Sequence, residues 1–181
     1  MPYLNDDRKY QIYFGSAGSC KSRFIAQKLI MLLLKEKRKL LCMRQTFASM
    51  RDSVYAELKT VATDMGLANH IKFKEATLNI VFPNGSTVIM KGADDEQKLL
   101  SVSGITDCWI EEATECQEGD VNQLKVRLRG GKSKKQMVLS FNPINIQHWI
   151  KRHFIDSNLA TVCFSTYKDN KFLTDDDRKA L

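Results

Sequence analysis

Residues 15–22 read Gly15-Ser16-Ala17-Gly18-Ser19-Cys20-Lys21-Ser22, and no other segment of this chain restricts its fold as much. An apolar, strand-like run precedes them, Tyr10-Gln11-Ile12-Tyr13-Phe14. A stretch with helical apolar spacing follows, carried by Phe24, Ile25, Leu29, Ile30 and Leu33. A strand, a Gly-rich turn and a helix opening on Lys-Ser make a phosphate cradle. Glycines let backbone N–H groups converge on an anion, and the helix N-terminus adds its partial positive charge. In such a cradle Gly15, Ser16, Ala17, Gly18, Ser19 and Cys20 wrap the β-phosphate and Lys21 neutralises the β/γ oxygens, while the Ser22 hydroxyl sits on Mg²⁺. One position departs from the pattern G-x-x-x-x-G-K-[ST]: Cys20 stands where the second glycine belongs. A side chain is accommodated there if its φ is negative. The helix N-terminus and Lys21 would both favour the Cys20 thiolate.

Ile105-Thr106-Asp107-Cys108-Trp109-Ile110 is a second short strand-like run, and it ends in Glu111-Glu112-Ala113. In P-loop ATPases of the additional-strand type, an acid at the end of a buried strand holds the Mg²⁺ shell and the next carboxylate activates the attacking water. Those roles suit Glu111 on the metal side and Glu112 as general base. Acids also favour the first turn of an exposed helix, a purely structural use of the same pair.

At 181 residues, 43% hydrophobic and 27% charged, the chain suits one globular domain. Its longest apolar run, Leu29 to Leu34, is too short to cross a bilayer. Charged Asn5-Asp6-Asp7-Arg8-Lys9 argues against a signal peptide. The five cysteines are scattered, without a C-x-x-C pair, and read as reduced thiols. The net charge of +7 points to a polyanionic partner. The cationic run Lys35 to Lys39 is explained by the negative end of the first helix. Arg127-Leu128-Arg129-Gly130-Gly131-Lys132-Ser133-Lys134-Lys135 carries no acid, and reads equally as a contact for nucleic-acid phosphates or a neighbouring subunit and as a solvated loop.

Strands and helices alternate along the chain. Leu40 to Met43 reads as a buried strand, and Phe47 to Met65 as a helix stopped by Gly66. Ile71–Glu75, Leu78–Phe82 and Thr87–Lys91 read as antiparallel strands, the last two joined at Pro83-Asn84-Gly85-Ser86. Helices are expected over Glu96–Val102, Val121–Leu128 and Ile146–Ile155 and from Thr174, with strands at Met137–Phe141 and Thr161–Ser165. The pattern predicts an α/β P-loop NTPase fold of the additional-strand type, with a mostly parallel central sheet flanked by helices and a β-hairpin insertion.

Taken together and in order, these motifs resemble the large terminase subunits of tailed bacteriophages, most closely those of phages infecting Gram-positive hosts. Tyr13 to Ser22 resembles the family's Walker A and Trp109 to Glu115 its Walker B. Arg44-Gln45-Thr46-Phe47 with Arg51 to Tyr55 is similar to the stretch after its second strand. Ser140-Phe141-Asn142-Pro143 with His148-Trp149-Ile150 resembles its coupling motif, and Thr166 to Leu173 the segment where its ATPase domain ends. The resemblance implies an Mg-dependent ATPase, with ATP and Mg²⁺ as cofactors, that drives double-stranded DNA into a procapsid. It implies partners as well: DNA, the portal protein and procapsid, a small terminase subunit, and further copies in a ring on the portal. No membrane is involved. The expected location is the host cytoplasm, transiently docked on the procapsid. Ser140 to Asn142 would sense the γ-phosphate, and Tyr10 and Gln11 lie where adenine contacts often fall. Residues 1–181 are expected to form the ATPase domain, without the acidic nuclease domain that family members carry C-terminally.

Ala17 occupies a position where many family members have an arginine reaching the γ-phosphate. Arg127 and Arg129 are the candidates to replace it as a finger supplied to a neighbouring subunit, and DNA phosphates are their alternative contact. Another P-loop ATPase, such as a DNA helicase or a recombination-type ATPase, or a nucleotide-binding module without turnover, also fits these motifs.

Overall fold

The computed structural model describes residues 3–95, 97, 99, 101–128, 134–143, 145 and 147–180. Its strands are β1 (Tyr10–Gly15), β2 (Lys39–Arg44), β3 (Lys72–Lys74), β4 (Asn79–Val81), β5 (Thr87–Gly92), β6 (Asp107–Glu111), β7 (Gln136–Phe141) and β8 (Thr161–Ser165). The α-helices are α1 (Lys21–Lys35), α2 (Ala56–Asp64), α3 (Glu118–Arg127) and α4 (Asp175–Ala180). Among the described residues the strands form one sheet in the order β3-β4-β5-β2-β6-β7-β1-β8. From β5 to β8 every neighbouring pair is parallel, and only β3–β4 and β4–β5 run antiparallel. The expected hairpin insertion is therefore a three-strand meander closing one edge. Strand β7 lies between β1 and β6, as the additional-strand arrangement requires.

Period-two alternation divides each central strand between two cores. Leu40 and Cys42 of β2 join α1 and α2 through Ile25, Leu29, Leu58 and Val61, while Leu41 and Met43 face the opposite core with Val121 and Leu124 of α3. A sheet covered on both faces needs apolar residues at consecutive positions, which is why β2, β6 and β7 read as continuous apolar runs. All six residues of β7 are buried.

The helix expected over Phe47–Met65 is instead three joined pieces: a 3₁₀ turn at Ala48–Met50, a π-helical turn at Arg51–Tyr55, and α2. The Ser53 hydroxyl donates to the Ser49 carbonyl at 2.5 Å, the side-chain competition with backbone bonding that bends helices. A second π-helical turn, Lys151–Ile155, occupies the expected Ile146–Ile155 helix, of which Ile146 lies outside the described residues. Within the expected Glu96–Val102 helix, the amides of Leu99 and Ser101 bond to the carbonyls of Asp95 and Gln97; Glu96, Lys98 and Leu100 lie outside the described residues.

One member of the cationic run after α1 is not a surface charge. The Arg38 side chain is buried, donates to Asp107 Oδ1 at 2.8 Å and to the Lys134 carbonyl at 2.9 Å, and pairs with Glu36 at 2.5 Å. Asp107, at the start of β6, is buried with it. Burial pushes the Asp107 carboxyl up, against the opposing pull of Thr106 and Arg38. Arg38→Met would leave that carboxylate buried and without its cation, and breaking such a pair costs about 3–5 kcal/mol. A thermal or urea denaturation curve should show the loss, and Arg38→Met with Asp107→Leu should recover part of it.

Candidate nucleotide site

The turn after β1 is built for an anion. Gly18 and Cys20 both have positive φ, 71° and 61°, the conformation that folds successive N–H groups into a concavity. Gly15 has no room for a side chain, because a Cβ there would lie 1.6 Å from the Ser165 carbonyl oxygen of the adjacent strand. The condition for a side chain at Cys20, a negative φ, is not met. The residue is left-handed and N-caps α1, and its carbonyl accepts from the Phe24 amide at 3.0 Å. The turn demands that conformation whatever residue occupies it, and an L-residue there stores about 1–2 kcal/mol of strain. The expected thiolate is not found either. Burial raises the Cys20 thiol above its ordinary range, outweighing Arg23 nearby.

Lys21, at the first position of α1, donates to the Ser16 carbonyl at 3.2 Å and to Asn142 Oδ1 at 2.9 Å. Its ammonium thus bridges the loop to the end of β7. The Ser22 hydroxyl donates to Glu111 Oε1 at 2.6 Å. The other oxygen of Glu111 accepts from the Ser140 hydroxyl, which itself accepts from Trp109 Nε1 at 2.9 Å. Ser140 is fully buried, so it acts on the site through Glu111 and does not face the loop as Asn142 does. Trp109 was legible only as core, because its indole N–H is given a task by a residue that sheet order places beside it.

Glu112 follows the strand with φ 50°, which turns its side chain out of the ladder continued by the Ala113 amide on the Ser140 carbonyl. Burial and the neighbouring Glu111 raise its carboxyl, while Lys21 and Arg44 hold it down. Arg44, in the sequence only the head of a family-like stretch without a role, also bears on the site. It ends β2, the strand beside β6, and its Nη2 lies 3.8 Å from Glu115. Its Nε is buried without a hydrogen-bond partner.

The remaining sequence candidates lie elsewhere. Arg127 ends α3 and donates to the Val102 carbonyl at 3.4 Å, ahead of the first residue of β6 and so at the opposite edge of the sheet from the loop. Arg129 lies outside the described residues. Gln11 is buried, its amide committed to the Asp6 and Arg8 carbonyls, with its oxygen accepting from Tyr13 and Lys28. It serves the N-terminal turn and leaves nothing for a base. Tyr10 packs on Phe154.

The donor set suits Mg²⁺ with a nucleotide. Among the described residues no cluster of three acidic, His or Cys side chains could cage a metal. Mg²⁺ keeps several waters and takes one or two carboxylates plus phosphate oxygens, and Ser22 with Glu111 offers one hydroxyl and one carboxylate beside an anion cradle. The Ser19 hydroxyl in the loop is buried without a partner, a donor for an incoming oxygen.

Residues 7–181 match the family described as phage terminase large subunit. The PBSX phage terminase large subunit of Bacillus subtilis (strain 168) is 35% identical over 173 residues, which are 96% of this chain and 38% of the relative. The chain therefore spans well under half the length of that curated relative. The large terminase of the thermophilic bacteriophage D6E, solved in complex with ADP, superposes with a TM-score of 0.81 at 20% identity over 98% of this chain and 45% of that one. The N-terminal domain of the bacteriophage phi29 DNA packaging ATPase superposes with a TM-score of 0.68 at 13% identity, over 95% of this chain and 96% of that domain.

Electrostatics at Glu112 can be read directly. A carbon-13 NMR titration should place its carboxyl above the ordinary glutamate range. Arg44→Ala removes a cation that favours the charged form, so the midpoint should move to still higher pH. An unchanged midpoint would show that Arg44 does not act on Glu112.

Proposed function

This chain belongs to the family of phage terminase large subunits, and on that premise we propose that it binds and hydrolyses ATP to drive double-stranded viral DNA into a procapsid. The observation that carries the reading is the Ser22–Glu111 contact of 2.6 Å beside the Lys21–Asn142 contact of 2.9 Å, which gathers both motifs and the end of the strand between them around one cradle. The D6E terminase superposed on this fold was solved with ADP, which favours a nucleotide in the corresponding cradle.

In this reading the backbone from Gly15 to Cys20 holds the β-phosphate, and Lys21 leaves Ser16 and Asn142 to bind the β/γ oxygens. Ser22 and Glu111 hold Mg²⁺, which when bound neutralises charge on the transferring phosphoryl group. Glu112 accepts the proton of the attacking water, and its raised affinity for a proton suits a base. Asn142 senses the γ-phosphate through its contact with Lys21. The whole protein works with the portal and procapsid, a small terminase subunit and further copies of itself in a ring, in the host cytoplasm. Arg127, at the far edge of its own sheet, can serve hydrolysis only in a neighbour's site, and Arg129 is its partner in that proposal.

Glu112→Gln should bind ATP and lose hydrolysis by about 10²–10⁴-fold, because an amide cannot take the proton. Wild-type turnover in that variant would remove Glu112 from the role. The arginines are tested by mixing. Full-length Lys21→Ala protein combined with Arg127→Ala or Arg129→Ala protein should recover ATPase activity that neither shows alone. Failure to recover at any ratio, where the wild type assembles and is active, would exclude a finger from either residue.

A further inference from the structure

The segment after β8 is tied to the phosphate loop at two points that the reaction scheme leaves unused. The Tyr167 amide donates to the Ser16 hydroxyl at 2.9 Å. Asn170 Nδ2 donates to the Gly18 carbonyl at 2.8 Å. Asn170 is itself 5% exposed, and it is fixed from both sides. Its own Oδ1 accepts from the Phe172 amide at 3.0 Å, and its carbonyl accepts from Arg178 Nη2 at 2.9 Å. Arg178 belongs to α4, a helix without a single buried residue. Thr166 and Asp169 cap the short 3₁₀ turn Tyr167–Asp169 reciprocally, so Asn170 leaves a rigid turn and not a slack loop.

A trans peptide points its C=O and its N–H in opposite directions. A donor that holds the Gly18 carbonyl on the side of Asn170 therefore aims the Ser19 N–H the other way, toward the concavity formed by the loop. Gly18 has φ 71° and no Cβ to restrict that peptide, so an outside contact has to choose its orientation.

We propose that Asn170 is a positioning residue for nucleotide binding, one that fixes the Gly18–Ser19 peptide for the phosphate and links that peptide through Arg178 to helix α4. The inference rests on the phosphate loop binding a nucleotide. Two consequences follow from the two contacts. Loss of the side-chain donor loosens the loop and weakens binding. Loss of the Arg178 contact leaves the loop intact but separates its occupancy from α4.

The experiment uses a fluorescent ADP analogue with Mg²⁺ and backbone hydrogen exchange read by mass spectrometry. Asn170→Ala should raise Kd about tenfold, the size of one lost hydrogen bond, with the melting temperature little changed. Arg178→Ala should keep the wild-type Kd. In the wild type, saturating ADP should slow exchange in residues 171–180, and in Arg178→Ala that response should vanish at equal saturation. Unchanged affinity in Asn170→Ala overturns the positioning role. An ADP response in Arg178→Ala equal to the wild type's, or none in the wild type despite binding, overturns the link to α4. A wild type that binds no ADP fails the nucleotide site itself and this inference with it. Should Asn170→Ala not fold, the Arg178→Ala arm still decides the link, and Asn170→Ser, which keeps a donor on a shorter side chain, decides the positioning role by the same affinity measurement.

Discussion

The carboxylate of Glu111 holds the site together. One oxygen accepts from Ser22 at the start of α1, the other from Ser140 in the middle of the sheet. Three elements far apart in sequence are joined through a single side chain: β6, which carries Glu111, β7, which lies against it, and the helix that follows the loop. Ser140 can serve only because β7 lies between β6 and β1 with Glu111 in register with it. The Trp109 indole completes the chain of hydrogen bonds from the apolar core to Glu111 and Ser22. A buried network of this kind stabilises when every member is satisfied and is costly when one is lost. It also fixes both oxygens of Glu111.

Two of the four left-handed non-glycine residues among the described residues lie at the candidate site. Cys20 and Glu112 both have left-handed backbone, Cys20 where the loop enters α1 and Glu112 just after β6. Neither conformation is favourable for a residue with a Cβ, and such a residue persists only where the surrounding structure over-determines it. Around Glu112 opposing electrostatic effects meet, and those that favour the proton win. Glu111 and burial favour the protonated acid, while Lys21 and Arg44 favour the carboxylate, so its proton affinity is set by residues from two strands and a helix.

Much of the fold was legible because sheet burial on both faces writes itself into sequence as short continuous apolar runs, and β1, β2, β6 and β7 fall where those runs predict. The helix after β2 was less legible. Its apolar spacing is helical throughout, but the Ser53–Ser49 contact and the π-helical turn are decisions of side-chain hydrogen bonding that periodicity does not carry. The Arg38 cation, indistinguishable in sequence from its lysine neighbours, is buried because Asp107 waits for it on a strand nearly seventy residues later.

At the site, the sequence by itself determined the cradle: glycines, Lys21 and Ser22 between strand and helix, and two acids at the end of an apolar run. These are local requirements of backbone freedom, helix polarity and charge, and local pattern records them. Which groups meet across the sheet was decided by the tertiary structure alone. Ser140 proved to serve Glu111 and Asn142 to hold Lys21, Arg44 to favour the charged form of Glu112, Gln11 to be spent on the N-terminal turn, and Asn170 to grip the loop from a segment 152 residues away. Strand order sets those meetings, and it follows from how the apolar faces of the whole chain are buried at once, a condition that no single segment contains.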